Sequence, residues 1–279
     1  MLINQPFLLK GPVENDHVCL LLHGLGGGVY EMQLLGAYLN QQGLTVQGIS
    51  YPGHDAAVTR LNDPDGFCEY GDRPDSNLSA RTKLKMPAST WQQWYGHILE
   101  TYQNLSQVYT SISVIGFSTG CPLGLHLAAT HPVHKLVMLC PYLSIRYQWY
   151  YLLPLEAYLF SIGHLIEDIP RLRLPIKDQI MHEGAQKAAF FQTFNLSSVR
   201  SAVALIDQVK TEIPKITAPA LIIQACNDTI VDPAGAEFLY QYLGSPIKKL
   251  HWLPESDHII TLDLEREEVF AEVGAFLQT

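Results

Sequence analysis

The sequence predicts an α/β fold in which a mostly parallel, doubly wound sheet carries an inserted helical cap. Short apolar runs alternate with segments of helix length along most of the chain. Most of these runs are apolar throughout, which is typical of parallel strands covered on both faces. Residues 141–196 interrupt the alternation with an aromatic and aliphatic stretch. We therefore predict a core of residues 1–140 and 197–279 and an inserted cap of residues 141–196.

The predicted strands are short apolar runs rich in β-branched residues, at residues 17–22, 44–50, 111–115, 135–139, 220–225 and 248–253. The predicted helices occupy the segments between them, at residues 31–42, 90–106, 122–131, 198–210, 233–243 and 265–277. Residues 55–89 are rich in Asp, Pro, Gly, Ser and Asn and show little periodicity. A connection of that length is either a functional lid or a mobile loop.

Composition excludes several classes of protein. Hydrophobic residues make up 47% of the chain and charged residues 16%, which predicts a substantial core rather than disorder. The formal net charge of −9 argues against nucleic acid as a partner and against adhesion to anionic membranes. Because no signal peptide or membrane span is evident and the cysteines form no C-x-x-C pair, we expect a cytoplasmic protein without stable membrane insertion. The sequence leaves the oligomeric state open.

The segment Gly116-Phe-Ser-Thr-Gly120 places Ser118 on a tight corner between a predicted strand and a predicted helix. Glycine on both sides indicates that side chains at those positions would collide with the neighbouring strand and helix. Such crowding arises where the central residue is strained and its side chain projects outward. The pattern G-x-S-x-G between a strand and a helix is typical of a nucleophile elbow.

A serine nucleophile needs a base, and the base needs an acid that orients it. Asp228 follows the strand at residues 220–225, and His258 follows the strand at residues 248–253. The carboxyl ends of parallel strands meet at one edge of a sheet, so these loops are expected to lie beside Ser118. Three other carboxylates compete with Asp228. They are Asp232, Asp257 and Asp263. We expect Asp257 to point away from the His258 ring, Asp263 to lead into the last helix, and Asp232 to cap the helix predicted at residues 233–243.

The oxyanion of the reaction needs two backbone donors. The glycine-rich segment His23-Gly24-Leu25-Gly26-Gly27 follows the strand at residues 17–22 and can supply the N–H of Leu25. The second predicted donor is the N–H of Thr119, directly after the nucleophile.

These motifs together resemble the α/β-hydrolase superfamily, and within it the bacterial carboxylesterase and monoacylglycerol-lipase-like group. The resembling segments are LLLHGLGG, YPGH at residues 51–54, GFSTG, CNDTIVDP and SPIKKLHWLPESDHIITLD. The resemblance implies a serine hydrolase that cleaves carboxylic esters, with a small-molecule ester as substrate and neither a metal nor an organic cofactor. Residues 55–89 are longer than expected for that group, and the cap carries no motif that transfers. Substrate inference is therefore weakest at these two segments.

Two further functions share the predicted chemistry or the fold. A thioesterase or acyltransferase would form the same acyl-enzyme, and a hydrolase-fold binding protein would form none. A dehalogenase is disfavoured because the corner carries serine rather than aspartate. The aromatic and Leu-rich cap predicts an apolar pocket for short-to-medium acyl chains. The cap also carries basic residues that can face the site, namely Arg146, Arg171, Arg173 and Lys177.

Other reactive side chains have simpler roles. We expect the rings of His23 and His54 to hold loops near the site. His126, His131 and His134 are expected at a helix end rather than on a metal, and Cys121 is expected to be a small packing residue.

Overall fold

The computed structural model describes residues 2–12, 16–54, 85–145, 166–171, 173–188, 191 and 193–279. These residues form nine strands: β1 (Phe7–Leu9), β2 (His17–Leu22), β3 (Thr45–Ile49), β4 (Ser111–Phe117), β5 (Leu136–Leu139), β6 (Asp168–Pro170), β7 (Thr193–Asn195), β8 (Ala220–Ala225) and β9 (Lys248–Leu253). Seven of them build one sheet in the order β1-β3-β2-β4-β5-β8-β9. Only β1 runs antiparallel to its neighbour, so the predicted mostly parallel sheet is confirmed.

Helices follow the strands in the predicted alternation: α1 (Tyr30–Gln41), α2 (Trp91–Ser106), α3 (Gly120–Thr130), α4 (Gln179–Lys187), α5 (Leu196–Glu212), α6 (Ala234–Tyr242) and α7 (Arg266–Gln278). Six of them match the predicted helices, with ends that differ by at most two residues. Helix α4 was not assigned from the sequence as a separate element. Among the described residues, no helix combines the length and the apolarity needed to cross a membrane.

Side chains at the helix starts explain where α2 and α5 begin. Thr90 accepts a hydrogen bond from the Gln93 N–H, and the Gln93 side chain accepts one from the Thr90 N–H. This reciprocal pair is a capping box, which satisfies two N–H groups that have no partner within the helix. Asn195 caps α5 by accepting from the N–H groups of Ser197 and Ser198.

Three short strands were not predicted. Strand β1 lies at the sheet edge and is only three residues long, too short to show a period. It is held there by Phe7, whose ring lies where a Cβ at Gly36 or Gly48 would stand. Strands β6 and β7 form a separate antiparallel pair that joins residues 168–170 to residues 193–195. Their pairing joins segments that are distant in the chain, which local patterns do not reveal. The short helices expected in the cap were assigned to residues 142–160, most of which lie outside the described residues.

The core strands are buried along nearly their whole length. Every residue of β5 and β8 is buried, and β2 and β4 are buried except at their first residue. Because these strands are parallel, their carboxyl ends lie at one edge of the sheet. The loops that follow β2, β4, β8 and β9 therefore meet at that edge, and they carry Leu25, Ser118, Asp228 and His258.

Candidate active site

Ser118 directly follows β4 with a φ of 52°, in the left-handed region that side chains rarely adopt. The strain persists because the surrounding backbone holds the residue in place. The Ser118 N–H donates to the Leu139 carbonyl at 2.9 Å, and the Ser118 carbonyl accepts from the Cys121 N–H at 3.0 Å.

The expected crowding around this corner is present. A Cβ at Gly116 would stand 2.5 Å from the Gly120 carbonyl oxygen, at the start of α3. A Cβ at Gly120 would stand 2.3 Å from the carbonyl oxygen of Leu22, at the end of the neighbouring strand β2. Glycine at both positions therefore lets helix and strand approach the corner that presents Ser118.

Ser118, His258 and Asp228 form one hydrogen-bonded series. The Ser118 hydroxyl lies 2.9 Å from Nε2 of His258. The other ring nitrogen, Nδ1, lies 2.7 Å from Oδ2 of Asp228. All three side chains are buried or nearly so, with Ser118 the most exposed at 7%. An imidazole between a hydroxyl and a carboxylate can take a proton from the first while the second holds its orientation.

The surroundings of the Asp228 carboxylate favour its ionised form. Its Oδ1 accepts from the N–H groups of Ile230 and Val231 at 2.8 and 2.9 Å, and its Oδ2 also accepts from the Gln224 side chain. Burial by itself raises the pKa of this carboxyl. The positive charge on His258, its hydrogen bond and the two backbone donors together outweigh burial, so the pKa of Asp228 lies below its ordinary value.

The three competing carboxylates all have other partners. Asp257 accepts from the backbone N–H groups of Thr229 and His258 and pairs with Arg173 at 2.7 Å. It thus joins the two loops that carry Asp228 and His258 without touching the His258 ring. Asp263 is buried and accepts from the N–H groups of Lys177, Asp178 and Asp257. Asp232 accepts from the N–H of Ala234, the first residue of α6.

The loop of residues 24–28 lies against Ser118, and hydrogen bonds fix the direction of its Leu25 N–H. A Cβ at Gly24 would stand 3.2 Å from the Ser118 Cβ. The Gly24 carbonyl accepts from Nδ1 of His23 at 2.9 Å and from the Gly27 N–H at 3.2 Å. Because the C=O and the N–H of a trans peptide point in opposite directions, the Leu25 N–H points away from these donors. No acceptor among the described residues pairs with the N–H of Leu25 or of Thr119.

Three side chains from different parts of the chain bind this loop on both sides of Leu25. Oε2 of Glu31, a buried residue of α1, accepts from the Gly24 N–H at 3.0 Å. Nε2 of His54 accepts from the Gly26 N–H at 3.1 Å. The guanidinium of Arg171 donates to the Gly26 carbonyl at 2.7 Å. Burial lowers the pKa of His54 well below its ordinary value, which keeps the ring neutral and able to accept.

Sequence reasoning anticipated loop-holding roles for His23 and His54 and missed that of Glu31. Glu31 lies in the first turn of a helix, where an acidic residue is ordinary. The one unusual signal is its neighbourhood, since it stands between the buried residues Tyr30 and Met32. The sequence marked Arg171 only together with Arg146, Arg173 and Lys177, and Arg146 lies outside the described residues.

An apolar cluster adjoins the same loop. Leu25, Met86, Phe191 and Phe194 pack together, and Met86 and Phe191 are fully buried. A Cβ at Gly26 would stand 2.7 Å from the Phe194 ring and 3.7 Å from the Met86 sulfur. The candidate site therefore has an apolar wall beside its predicted oxyanion donors. The aromatic residues Tyr147, Trp149, Tyr150 and Tyr151 of the predicted cap lie outside the described residues, as do residues 55–84.

His126 and Cys121 have pairing and packing roles. His126 pairs with Glu212 at 2.7 Å. The thiol of Cys121 is buried and lies 3.2 Å from the Gly116 carbonyl oxygen, and burial raises its pKa well above the ordinary value. Among the described residues, the one group with metal-ligand types close together is Cys140, Asp228 and His258. Two of its members already belong to the hydrogen-bonded series of the site.

Comparison with known proteins identifies the family. The model of the Hydrolase_4 family, described as serine aminopeptidase, S33, matches residues 13–265. The chain belongs to the serine aminopeptidase, S33 family. A carboxylesterase of Bacillus subtilis (strain 168) is 26% identical over 275 residues, which cover 98% of this chain and 96% of that protein. A thermostable monoacylglycerol lipase of Bacillus sp. (strain H-257) is 27% identical over 264 residues, or 94% of this chain and 89% of that protein.

Solved structures give the same fold. A structure from work on LipS and LipT, two metagenome-derived lipolytic enzymes, superposes with a TM-score of 0.78 at 22% identity, covering 99% of this chain and 97% of that one. The α/β-hydrolase fold predicted from the sequence is thus confirmed. The resemblance of this member of the serine aminopeptidase, S33 family to carboxylesterases and monoacylglycerol lipases is confirmed by the two relatives.

Proposed function

We propose that the chain is a serine hydrolase that cleaves carboxylic esters of short-to-medium acyl chains, with Ser118, His258 and Asp228 as its catalytic residues. The observation that carries this proposal is the unbroken hydrogen-bonded series from the strained serine through the histidine to the buried aspartate. It is supported by the carboxylesterase and the monoacylglycerol lipase among the relatives, each matched over most of its length.

Acylation begins at the Ser118 hydroxyl. His258 takes its proton at Nε2 while the oxygen attacks the ester carbonyl carbon. Asp228 holds the proton on Nδ1, so Nε2 is the free base, and it stabilises the imidazolium that forms. His258 then gives its proton to the departing alcohol oxygen, which leaves an acyl group on Ser118.

Deacylation repeats the sequence with water. His258 takes a proton from a water molecule, whose oxygen attacks the acyl carbon. Collapse of the second tetrahedral intermediate releases the carboxylic acid and returns the proton to Ser118. In both steps the N–H groups of Leu25 and Thr119 bind the oxyanion in this proposal. Their lack of acceptors among the described residues is what this role requires, since a donor already paired would have to break that bond first.

Labelling and turnover test the proposal together. A fluorophosphonate should label wild-type protein at one site, and peptide mapping should place the label on Ser118. A panel of p-nitrophenyl esters and matched thioesters should then show turnover of the esters. Protein that is folded but neither labelled nor active on any ester would contradict the proposal.

The same panel separates the alternative functions. A thioesterase or acyltransferase would be labelled but would prefer thioesters or transfer the acyl group to an added alcohol. A binding protein of this fold would take up ligand without labelling. The proposed steps need neither a metal nor an organic cofactor, because side chains and backbone N–H groups supply the base, nucleophile and donors. The cap of residues 141–196 and the cytoplasmic location stay predictions from the sequence.

A further inference from the structure

We propose that Arg171 and Glu31 are positioning residues that hold the Leu25 N–H in place as an oxyanion donor. This inference rests on the proposed function, because it concerns how one donor of that reaction is oriented. Both residues act through the loop of residues 24–28 rather than on the substrate.

The first step of the argument is where the two side chains bind the loop. Glu31 accepts from the N–H of Gly24 at 3.0 Å, and Arg171 donates to the carbonyl of Gly26 at 2.7 Å. These two bonds bracket Leu25, one on the residue before it and one on the residue after it. In a five-residue segment with glycine at four positions, Leu25 has the only side chain that can pack against its surroundings. Hydrogen bonds from outside the segment supply the further constraint on its backbone.

Shape supports the same role for both residues. A Cβ at Gly27 would stand 2.2 Å from Oε1 of Glu31, so the carboxylate fills the space beneath the loop. The Arg171 guanidinium lies 5.1 Å from the centre of the Phe194 ring, and that ring contacts the loop at Gly26. Each side chain is therefore fixed against the loop by more than its single hydrogen bond.

When Glu31 is ionised, its charge is opposite to that of Arg171. The Arg171 guanidinium lowers the pKa of the buried Glu31, against the larger effect of burial, which raises it. An uncompensated carboxylate near an oxyanion site would oppose the negative charge that develops there. Arg171 offsets this charge while its own hydrogen bond holds the carbonyl of Gly26.

Arg171 also connects the loop to a segment that reaches the other catalytic side chain. Two residues later, Arg173 pairs with Asp257, which accepts from the His258 N–H. Further along, the Ile259 N–H donates to the Pro175 carbonyl at 3.2 Å. Arg171 thus contacts the loop with the predicted oxyanion donor, and Arg173 and Pro175 contact the loop with the predicted base.

The test uses Arg171→Met, Arg171→Lys, Glu31→Met and a matched control, Lys85→Met. Lys85 is largely exposed and pairs with Asp168, on the strand just before Arg171, and among the described residues it has no hydrogen bond to the loop. Active sites are counted in a separate sample by fluorophosphonate titration, so that kcat is expressed per site that can be labelled. Phenylboronic acid, which adds to a serine hydroxyl as a tetrahedral anion, reports on the oxyanion site without turnover.

For Arg171→Met and Glu31→Met, each of which removes the group that bonds to the loop, we expect kcat per titrated site to fall about 10-fold to 10²-fold, less than the 10²–10³-fold cost of removing a donor outright. KM should change little, and the inhibition constant of phenylboronic acid should rise in parallel with the loss of kcat. Arg171→Lys should lie between wild type and Arg171→Met, and Lys85→Met should match wild type.

A merely structural role gives a different result. Loss of folded protein would lower the number of titrated sites and leave both kcat per site and boronate affinity unchanged, and this outcome would overturn the inference. Glu31→Met keeps the length of the side chain and removes its carboxylate acceptor, so the test survives if Arg171→Met does not fold. If wild-type protein itself is neither labelled nor active, the proposed function fails. If wild type is active and the variants are equally active, only the positioning role is refuted.

Discussion

The hydroxyl oxygen of Ser118 lies 2.9 Å from Nε2 of His258, although 140 residues separate the two positions in the chain. The sheet brings them together, because β4 and β9 end at the same edge and each places its loop there. Hydrogen-bond contact between a candidate nucleophile and a candidate base is the geometry that proton transfer needs.

Ser118→Ala and His258→Ala should each remove nearly all ester hydrolysis while the protein stays folded. The residual rate can remain about 10³-fold above that in water, through binding and the oxyanion donors. His258→Ala should also lower Tm, because the buried Asp228 carboxylate loses the hydrogen bond to the His258 ring. Steady-state kinetics with circular dichroism measure both effects. A variant that keeps a tenth of the wild-type kcat would remove that residue from the mechanism.

Asp228→Asn should lower kcat by about 10⁴-fold, because an amide favours the wrong tautomer of the histidine. The matched control is Asp232→Asn, four positions away, whose carboxylate binds the N–H of Ala234 instead. This control should cost little activity and at most about 1 kcal/mol of stability. The reverse pattern, with Asp232→Asn the inactive variant, would make Asp232 the acid.

The candidate triad was predictable because its signals are local to each loop. Ser118 has glycines on both sides, and Asp228 and His258 each follow an apolar run with the composition of a buried strand. The sheet rule that joins such loops is general, so no side-chain contact had to be known beforehand. The structure brings the three side chains into one hydrogen-bonded series, in which Asp228 is the carboxylate that bonds to the His258 ring, and their catalytic roles stay predictions.

The supporting contacts were not predictable in the same way. Arg171 binds Gly26 across 145 positions, and its role depends on where residues 168–171 lie against the core. No pattern within residues 141–196 marks Arg171 over the other basic residues there. Strand β1 escaped prediction for a related reason, since three residues at a sheet edge are defined by their partner rather than by their own sequence.

Glu31→Gln should change how stability depends on pH. Burial raises the pKa of Glu31, and Arg171, His258 and the backbone donors offset that only in part. A carboxyl whose pKa is higher in the folded state favours folding while it is protonated. That contribution is complete below the ordinary glutamate pKa of about 4.3 and is lost as pH rises through the raised value.

The difference in Tm between wild type and Glu31→Gln isolates this group from the others that titrate. As pH rises from about 4 towards about 8, the Tm of wild type should fall relative to that of Glu31→Gln, because the glutamate ionises and glutamine cannot. Thermal melts at constant ionic strength across this range measure it. A difference independent of pH would mean that the carboxyl has the same pKa in the folded and unfolded states.

The last prediction concerns the length of the acyl chain. In a homologous series of p-nitrophenyl esters, kcat/KM should rise from the acetyl ester, reach a maximum at short-to-medium chains and then fall. Each added methylene that enters an apolar pocket contributes up to about 0.8 kcal/mol until the pocket is full. The apolar cluster beside the oxyanion loop supplies such a wall, and its buried members Met86 and Phe191 limit the space.

Met86→Ala tests the role of that wall, because it removes the side chain that faces the loop at Gly26. We expect the optimum to move to longer acyl chains, with some loss of Tm from the cavity. Ile180→Ala is the control: Ile180 is apolar but 76% exposed on α4, and its removal should leave the optimum unchanged. All rates are measured below the concentration at which the esters aggregate. A steady increase through the palmitoyl ester, or activation at a lipid interface, would instead mean that the site opens to long chains and that the protein acts as a lipase.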